Sequence, residues 1–182
     1  MRDNDKQLLS AWLQSHDVEN SAEKLKKLET FHDFLYEWSG KINLVSSNDR
    51  ELLVENHIID SLSPIDILNN PATIIDIGSG GGFPAIPLGI ICPHLNIVMV
   101  ESREKKAKFL SVAIDFVDLP NLSVSRCRIE EYKPKTKFDY ATVRAVTLTP
   151  KINRAIFKTL KPGGVVIYYE KRGKCRILKA EK

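Results

Sequence analysis

Cysteine is scarce in this sequence and poorly placed for structural chemistry. Cys92, Cys127 and Cys175 are odd in number, far apart and in no C-x-x-C pattern, which argues against a disulfide framework and a thiolate zinc site. The four histidines, His16, His32, His57 and His94, also lack metal-ligand spacing, so no metal is expected. No apolar run reaches membrane-spanning length, and the first residues, Met1-Arg2-Asp3-Asn4-Asp5-Lys6, are polar. Membrane insertion and secretion are therefore disfavoured, and a cytoplasmic protein is expected. Neither an internal repeat nor a low-complexity segment is present, which excludes solenoid architectures.

A chain of 182 residues suits one domain with a proper core. Its net charge of +4 hides an asymmetry: residues 1–70 carry seven Lys/Arg against thirteen Asp/Glu, and residues 71–182 carry twenty against ten. A basic second half suits a polyanionic partner, although lysines scattered for solubility give the same count. The first seventy residues read as a helical extension. Leu25, Leu28, Phe31, Leu35 and Trp38 recur at helical spacing between Ser21 and Gly40, and a second helical segment is expected over about 49–60 with Asp49 as its cap.

The stretch Ile74-Ile75-Asp76-Ile77-Gly78-Ser79-Gly80-Gly81-Gly82-Phe83-Pro84 carries the most chemistry. An apolar strand ending in an acid and entering a glycine-rich turn before a helix lets backbone approach a nucleotide-like ligand closely. In a dinucleotide fingerprint the third glycine would fall at Phe83, which weakens a nicotinamide reading. Asp76 repels a pyrophosphate but welcomes an ammonium group such as that of S-adenosylmethionine. A second apolar run, Asn96-Ile97-Val98-Met99-Val100, ends in Glu101, at the distance from Gly80 where a carboxylate grips an adenosine ribose.

From Thr73 onward, β-branched runs alternate with helical patterns, which predicts an α/β, doubly wound, mainly parallel sheet over residues 71–182. Strands are expected near 73–78, 96–101, 122–126, 138–143 and 164–170, with helices over Lys105 to Val117 and Pro150 to Leu160. Lys161-Pro162-Gly163-Gly164 should break the last helix and launch the fifth strand. Only twelve residues follow Glu170. A carboxyl-terminal antiparallel strand pair is therefore expected to be missing, leaving about five strands and an apolar edge at Val165-Val166-Ile167-Tyr168-Tyr169.

Taken together, the chain resembles the bacterial RsmG (GidB) family of class I methyltransferases. Trp38 followed by Ile42-Asn43-Leu44-Val45-Ser46 is similar to that family's W-x-x-x-x-N-L-T-S leader, and His57-Ile58-Ile59-Asp60-Ser61-Leu62 to its H-I-L-D-S-L segment. The loop from Asp76 to Leu88 resembles D-V-G-S-G-A-G-F-P-G-I-P-L, Arg128-Ile129-Glu130-Glu131 an R-x-E-E segment, and Arg144-Ala145 the end of S-R-A. Lys171 stands where a family lysine follows the fifth strand. Ala85 replaces a glycine, Asn56 a basic residue and Val143 a serine.

The resemblance implies a Rossmann-like fold and methyl transfer from S-adenosylmethionine to guanine N7 of 16S ribosomal RNA in the small subunit, by a monomer or weak dimer. It implies that Asp76 and the backbone of Gly78, Ser79, Gly80 and Gly82, with Phe83, hold the methionine part. Glu101 would take the ribose, and Ile129 with Glu130 the adenine edge. Arg144 either faces the substrate or pairs structurally with a carboxylate; His57 and Asp60 either serve the substrate side or fix leader to core. Guanine N7 attacks through an in-plane lone pair, so no general base is expected. A noncatalytic RNA-binding or assembly factor and a small-molecule methyltransferase of the same fold remain as alternatives. The basic tail, Lys171, Arg172, Lys174, Arg176, Lys179 and Lys182, suits either phosphate contact or a solvated end.

Overall fold

The computed structural model describes residues 1–170 and 174–179, without the side chains of Ser47 and Asn48. Lys171, Arg172 and Lys182 lie outside the described residues. The leading helices are α1 (Asp3–Ser15) and α2 (Ser21–Ser39). Leu9 and Leu13 of α1 and Leu28, Phe31 and Leu35 of α2 are buried, because residues three and four apart share a helix face. Those side chains join one apolar cluster with Ile74, Ile86, Phe109 and Leu110 of the following layers.

Where a regular helix is expected over about 49–60, the chain instead makes a 3-10 turn at Ser47–Leu52 and a π-turn at Val54–Ile59. The cap is Ser46, whose Oγ accepts the Asp49 N–H at 3.2 Å. The widened turn buries Val54 and Ile58 and directs His57 and Asp60 toward the sheet, in keeping with the concentration of π-turns at functional sites.

The sheet runs β3-β2-β1-β4-β5-β6. Its strands are β1 (Ala72–Ile77), β2 (Leu95–Val100), β3 (Leu122–Ser125), β4 (Phe138–Arg144), β5 (Leu160–Tyr169) and β6 (Cys175–Lys179). The first five pair in parallel, and β6 runs antiparallel to β5. Helices α3 (Ala85–Ile91), α4 (Glu104–Val117) and α5 (Pro150–Thr159) make the crossovers. Strand alternation splits the core: Ile74 faces the cluster that includes the leader, and Ile75 and Ile77 face a second cluster with Val143 and Ile156. Helix α3 packs close to β3 because Gly89 has no side chain; a Cβ there would lie 2.2 Å from Leu122 Cδ1.

Two sequence expectations change at the end of the chain. The sheet has six strands rather than about five, since Cys175–Lys179 pairs with β5 from Tyr169↔Cys175 to Val165↔Lys179. The Glu170 N–H donates to the Lys174 carbonyl at 2.8 Å at the end of this pairing. The apolar edge of β5 is thus covered. Likewise, Lys161-Pro162-Gly163-Gly164 does not precede the strand but bulges from it: pairing jumps from Phe138↔Leu160 to Tyr140↔Val165, with Gly163 at φ +77°.

The order of strands reverses between β1 and β4, so the crevice outside their carboxyl ends is the topological switch point where open α/β sheets bind ligands. Among the described residues, no helix is long and apolar enough to cross a membrane.

Candidate active site

The glycine loop leaves β1 at this crevice. The N–H groups of Gly78 and Ser79 donate to the Val100 carbonyl at 2.8 and 3.4 Å, which ties the loop to the end of β2. Gly78, Gly80 and Gly82 have φ of +70°, +53° and +91°, values that L side chains resist. At Gly82 a Cβ would also lie 2.5 Å from Ile86 Cδ1. The close approach of loop to helix therefore falls to Gly82, which explains how Phe83 can stand in the third glycine position. At Gly80 a Cβ would meet nothing closer than the Gly78 carbonyl at 3.6 Å and Lys106 Nζ at 3.9 Å, so the loop has room beside its backbone.

Asp76 is fully buried under this loop. Its Oδ1 accepts the Thr142 hydroxyl at 2.7 Å, while its Oδ2 is buried with no hydrogen-bond partner among the described residues. Burial pushes its carboxyl up to about 7, against the lowering pull of Ser79, Thr142 and Arg144. A carboxylate in that position lacks one cationic or hydrogen-bonding partner.

Glu101, at the end of β2, is also buried. Its Oε2 accepts the Gly80 N–H at 3.0 Å and its Oε1 the Arg103 N–H at 2.8 Å. The acid therefore shapes the glycine loop and the start of α4, and each oxygen keeps a second lone pair. Lys106, half-buried nearby, has its ammonium lowered by burial, with Glu101 opposing.

Beyond β3, the Glu131 N–H closes a turn onto the Arg128 carbonyl at 3.0 Å, leaving the two central amides, Ile129 and Glu130, outside that turn's own bond. The Ile129 side chain packs with Val100 and Val143; Glu130 lies 4.0 Å from Lys151. A cleft of about 660 Å³ opens here, lined by Ser102, Arg103, Arg126, Arg128 and others. Three arginines of the basic half meet there with Glu104 and Glu131, and Arg126 pairs with Glu104 at 2.9 Å.

On the other side of the loop, Arg144 at the end of β4 is clasped by the leader. Its Nη2 lies 2.7 Å from Asp60 Oδ2 and donates to the Asn56 carbonyl at 2.6 Å; its Nη1 reaches Ser61 Oγ at 3.3 Å. The guanidinium lies over Phe83 and Tyr169, 6.0 and 5.9 Å from their ring centres. Phe83 in turn meets Phe31 edge-on at 5.5 Å and His57 at 5.0 Å. Burial, then Arg144, holds His57 down to about 4, so its imidazole is neutral at neutral pH. Ala145, next along, sits at φ +54°, backbone strain of the kind that clusters at functional sites.

A cavity of about 1010 Å³ lies over this clasp, lined among others by Trp12, His57, Asp60, Arg144, Tyr169 and Glu170. Among the described residues its lining is mostly acidic, with Asp49, Glu55, Asp60, Asp66 and Glu170 against Arg144. Among the described residues the site thus has one acidic flank and one of mixed charge.

The structure brings Asp76, the glycine loop, Glu101 and Arg144 to the carboxyl ends of β1, β2 and β4, and adds residues the sequence did not single out. Thr142 is the register partner of Asp76 on β4, and its signal was a hydroxyl inside the apolar run Ala141-Thr142-Val143. The Tyr169 hydroxyl donates to the Ser61 carbonyl at 2.8 Å, a contact no local pattern announces. Of the described basic tail, Arg176 pairs with Glu170 at 3.5 Å and covers Tyr168, so part of that charge is engaged at the β5–β6 edge.

A family model described as rRNA small subunit methyltransferase G (GidB) matches residues 24–181. A protein named ribosomal RNA small subunit methyltransferase G from Lachnoclostridium phytofermentans is 34% identical over 164 residues, 87% of this chain and 68% of its own. Its namesake from Lactococcus lactis subsp. lactis is 32% identical over 168 residues, 88% and 70% of the two chains. The chain thus spans about two thirds of the length of these relatives. Among solved structures, a protein-L-isoaspartate O-methyltransferase superposes with a TM-score of 0.67 at 16% identity, over 97% of this chain and 60% of that one. A SAM-dependent methyltransferase from Aquifex aeolicus gives 0.50 at 14%, over 60% and 65%. At such identities the structural likenesses concern the fold, which is the Rossmann-like class I methyltransferase fold.

Proposed function

Because the chain belongs to the rRNA small subunit methyltransferase G family, we propose that it transfers a methyl group from S-adenosylmethionine to guanine N7 in 16S ribosomal RNA. The observation that carries this reading is the family match running through a loop whose buried acid, Asp76, keeps an oxygen without a partner.

The residues present fit this cofactor. Asp76 Oδ2 would take the ammonium of the methionine part, with Gly78, Ser79, Gly80 and Gly82 supplying close backbone and Phe83 closing the loop against the leader. Glu101 would accept ribose hydroxyls on its remaining lone pairs. Ile129 and Glu130 would meet the adenine edge through the turn's outward amides. Bound S-adenosylmethionine supplies an electrophilic methyl group on a sulfonium centre. No residue need remove a proton from guanine N7, so the chain's own work is alignment and electrostatics. The acidic cavity suits a base that becomes cationic as N7 is alkylated, and Arg144 fixes the wall of that cavity.

Incubation of the protein and labelled S-adenosylmethionine with small ribosomal subunits from a strain lacking the gene is expected to place the label in 7-methylguanosine. Unlabelled RNA, with active cofactor binding demonstrated in parallel, would overturn the assignment.

A pH dependence follows from Asp76. Its folded carboxyl is raised to about 7, so the empty protein loses stability from this group as pH rises from about 4 to about 7. His57 acts in the opposite sense, its contribution being lost as pH falls from about 6.5 to about 4. An ammonium needs the charged carboxylate, so cofactor affinity should fall by up to about tenfold per pH unit below 7. Calorimetry at pH 6.5 and 5.5 should show that drop, and Asp76→Asn should flatten it. Parallel curves for the two proteins would separate Asp76 from the ammonium.

A further inference from the structure

We infer that His57 and Asp60 read the target base, His57 Nε2–H donating to guanine O6 and Asp60 Oδ1 accepting from guanine N1–H. This inference rests on the proposed methylation of guanine and deepens it by assigning the residues that select the base.

Two buried polar atoms carry it. Asp60 is more than nine-tenths buried; its Oδ2 is held by Arg144, and its Oδ1 is buried without a hydrogen-bond partner among the described residues. His57 Nδ1 faces Arg144 Nη2 at 3.4 Å. Both Nη2 hydrogens are taken by Asp60 and Asn56, but a guanidinium only donates, and a proton on Nδ1 would face those N–H groups; we therefore place the ring proton on Nε2. That Nε2–H is itself buried without a partner, the nearest carboxylate oxygen, Asp49 Oδ2, being 3.9 Å away. The lowered basicity of His57 keeps the ring in this single-donor form. Leaving a buried donor or acceptor unmade costs about 1–3 kcal/mol, and native interiors seldom tolerate it without a reason.

In this inference the two atoms act as one donor and one acceptor side by side. His57 and Asp60 are three residues apart on one turn, so they share a face, and both line the same cavity. Guanine places an acceptor, O6, beside a donor, N1–H. Adenine places a donor, the 6-amino group, beside an acceptor, N1. The site therefore matches guanine and meets adenine donor to donor and acceptor to acceptor, a mismatch that rejects strongly because buried polar groups are left unpaired. With O6 and N1–H engaged, N7 lies on the other flank of O6 and stays free for methylation. The geometry keeps the base near the glycine loop, since the His57 ring lies 5.0 Å from that of Phe83, tilted by 34°. The acid-rich lining also favours a neutral base becoming cationic over a phosphate.

The test uses the full chain and an RNA substrate carrying guanine, hypoxanthine or 2,6-diaminopurine at the methylated position. Hypoxanthine keeps O6 and N1–H; 2,6-diaminopurine reverses both. For the wild type, kcat/KM should stay within about tenfold between guanine and hypoxanthine and fall at least about 100-fold for 2,6-diaminopurine. Asp60→Asn and His57→Phe should each shrink the guanine to diaminopurine ratio by about tenfold or more, with S-adenosylmethionine affinity unchanged. His57→Phe retains an aromatic ring against Phe83 and leaves the Arg144–Asp60 pair intact, so it gives a reading even where Asp60→Asn folds poorly. A ratio identical to wild type, with all rates falling in parallel, would overturn the inference and leave both residues structural. A wild type that methylates no guanine RNA would instead sink the proposed function and this inference with it.

Discussion

Replacement of Glu101 by alanine is expected to raise the dissociation constant for S-adenosylmethionine at least 100-fold. The carboxylate accepts the Gly80 and Arg103 N–H groups, and hydrogen bonds to a charged group contribute about 1.5–3 kcal/mol each. Losing the proposed ribose contacts would remove binding directly. Losing the Gly80 contact frees a loop that sits at three positive-φ glycines, so the cofactor must then order it as well. About 2.8 kcal/mol from both sources corresponds to 100-fold. Glu101→Gln should fall in between, because its amide oxygen can accept one backbone N–H while its NH2 group confronts the other donor. Calorimetry on protein with a native circular dichroism spectrum checks this; an alanine variant with wild-type affinity would remove Glu101 from the cofactor site.

The same residue shows what the sequence made legible. A buried parallel strand writes itself as an apolar run, so β1, β2 and β4 were readable, and the acids closing β1 and β2 lie beside the glycine loop. The glycine loop was readable because positive φ leaves a compositional mark. Contacts between distant segments left none. The Arg144–Asp60 pair joins residues 84 positions apart, and neither flank announces the other. Lacking a fixed hydrophobic period, the 3-10 and π turns over Ser47–Ile59 looked like one ordinary helix. Strand β6 escaped because Ile177 and Leu178 are partly exposed, so a run of five residues pairs through its backbone with little apolar signature. The acidic cavity was hidden for a related reason: chain halves gave the sign of charge by sequence, whereas the cavity draws most of its acids from the leader and, among the described residues, a single arginine from β4.

Arg144 is the residue on which these halves meet, and its removal should be costly even in the absence of any ligand. With Arg144→Ala, Asp60 is left as a buried carboxylate with neither oxygen paired, the Asn56 carbonyl loses its 2.6 Å donor, and the rings of Phe83 and Tyr169 lose the cation between them. Breaking a buried pair from one side costs about 3–5 kcal/mol, which for a chain of this length lowers the melting temperature by about 10 °C. Arg144→Lys should rescue only part of this, since an ammonium cannot span Asp60, Asn56 and Ser61 as a planar fork does. Asp60→Asn in the Arg144→Ala background should regain stability, because a neutral amide is cheaper to bury than an unpaired charge. That recovery is the decisive sign: an arginine serving substrate alone has no reason to make the loss of its partner's charge beneficial. If Arg144→Ala melted within about 2 °C of wild type while methyl transfer disappeared, the clasp would be dispensable and Arg144 would belong to the substrate instead.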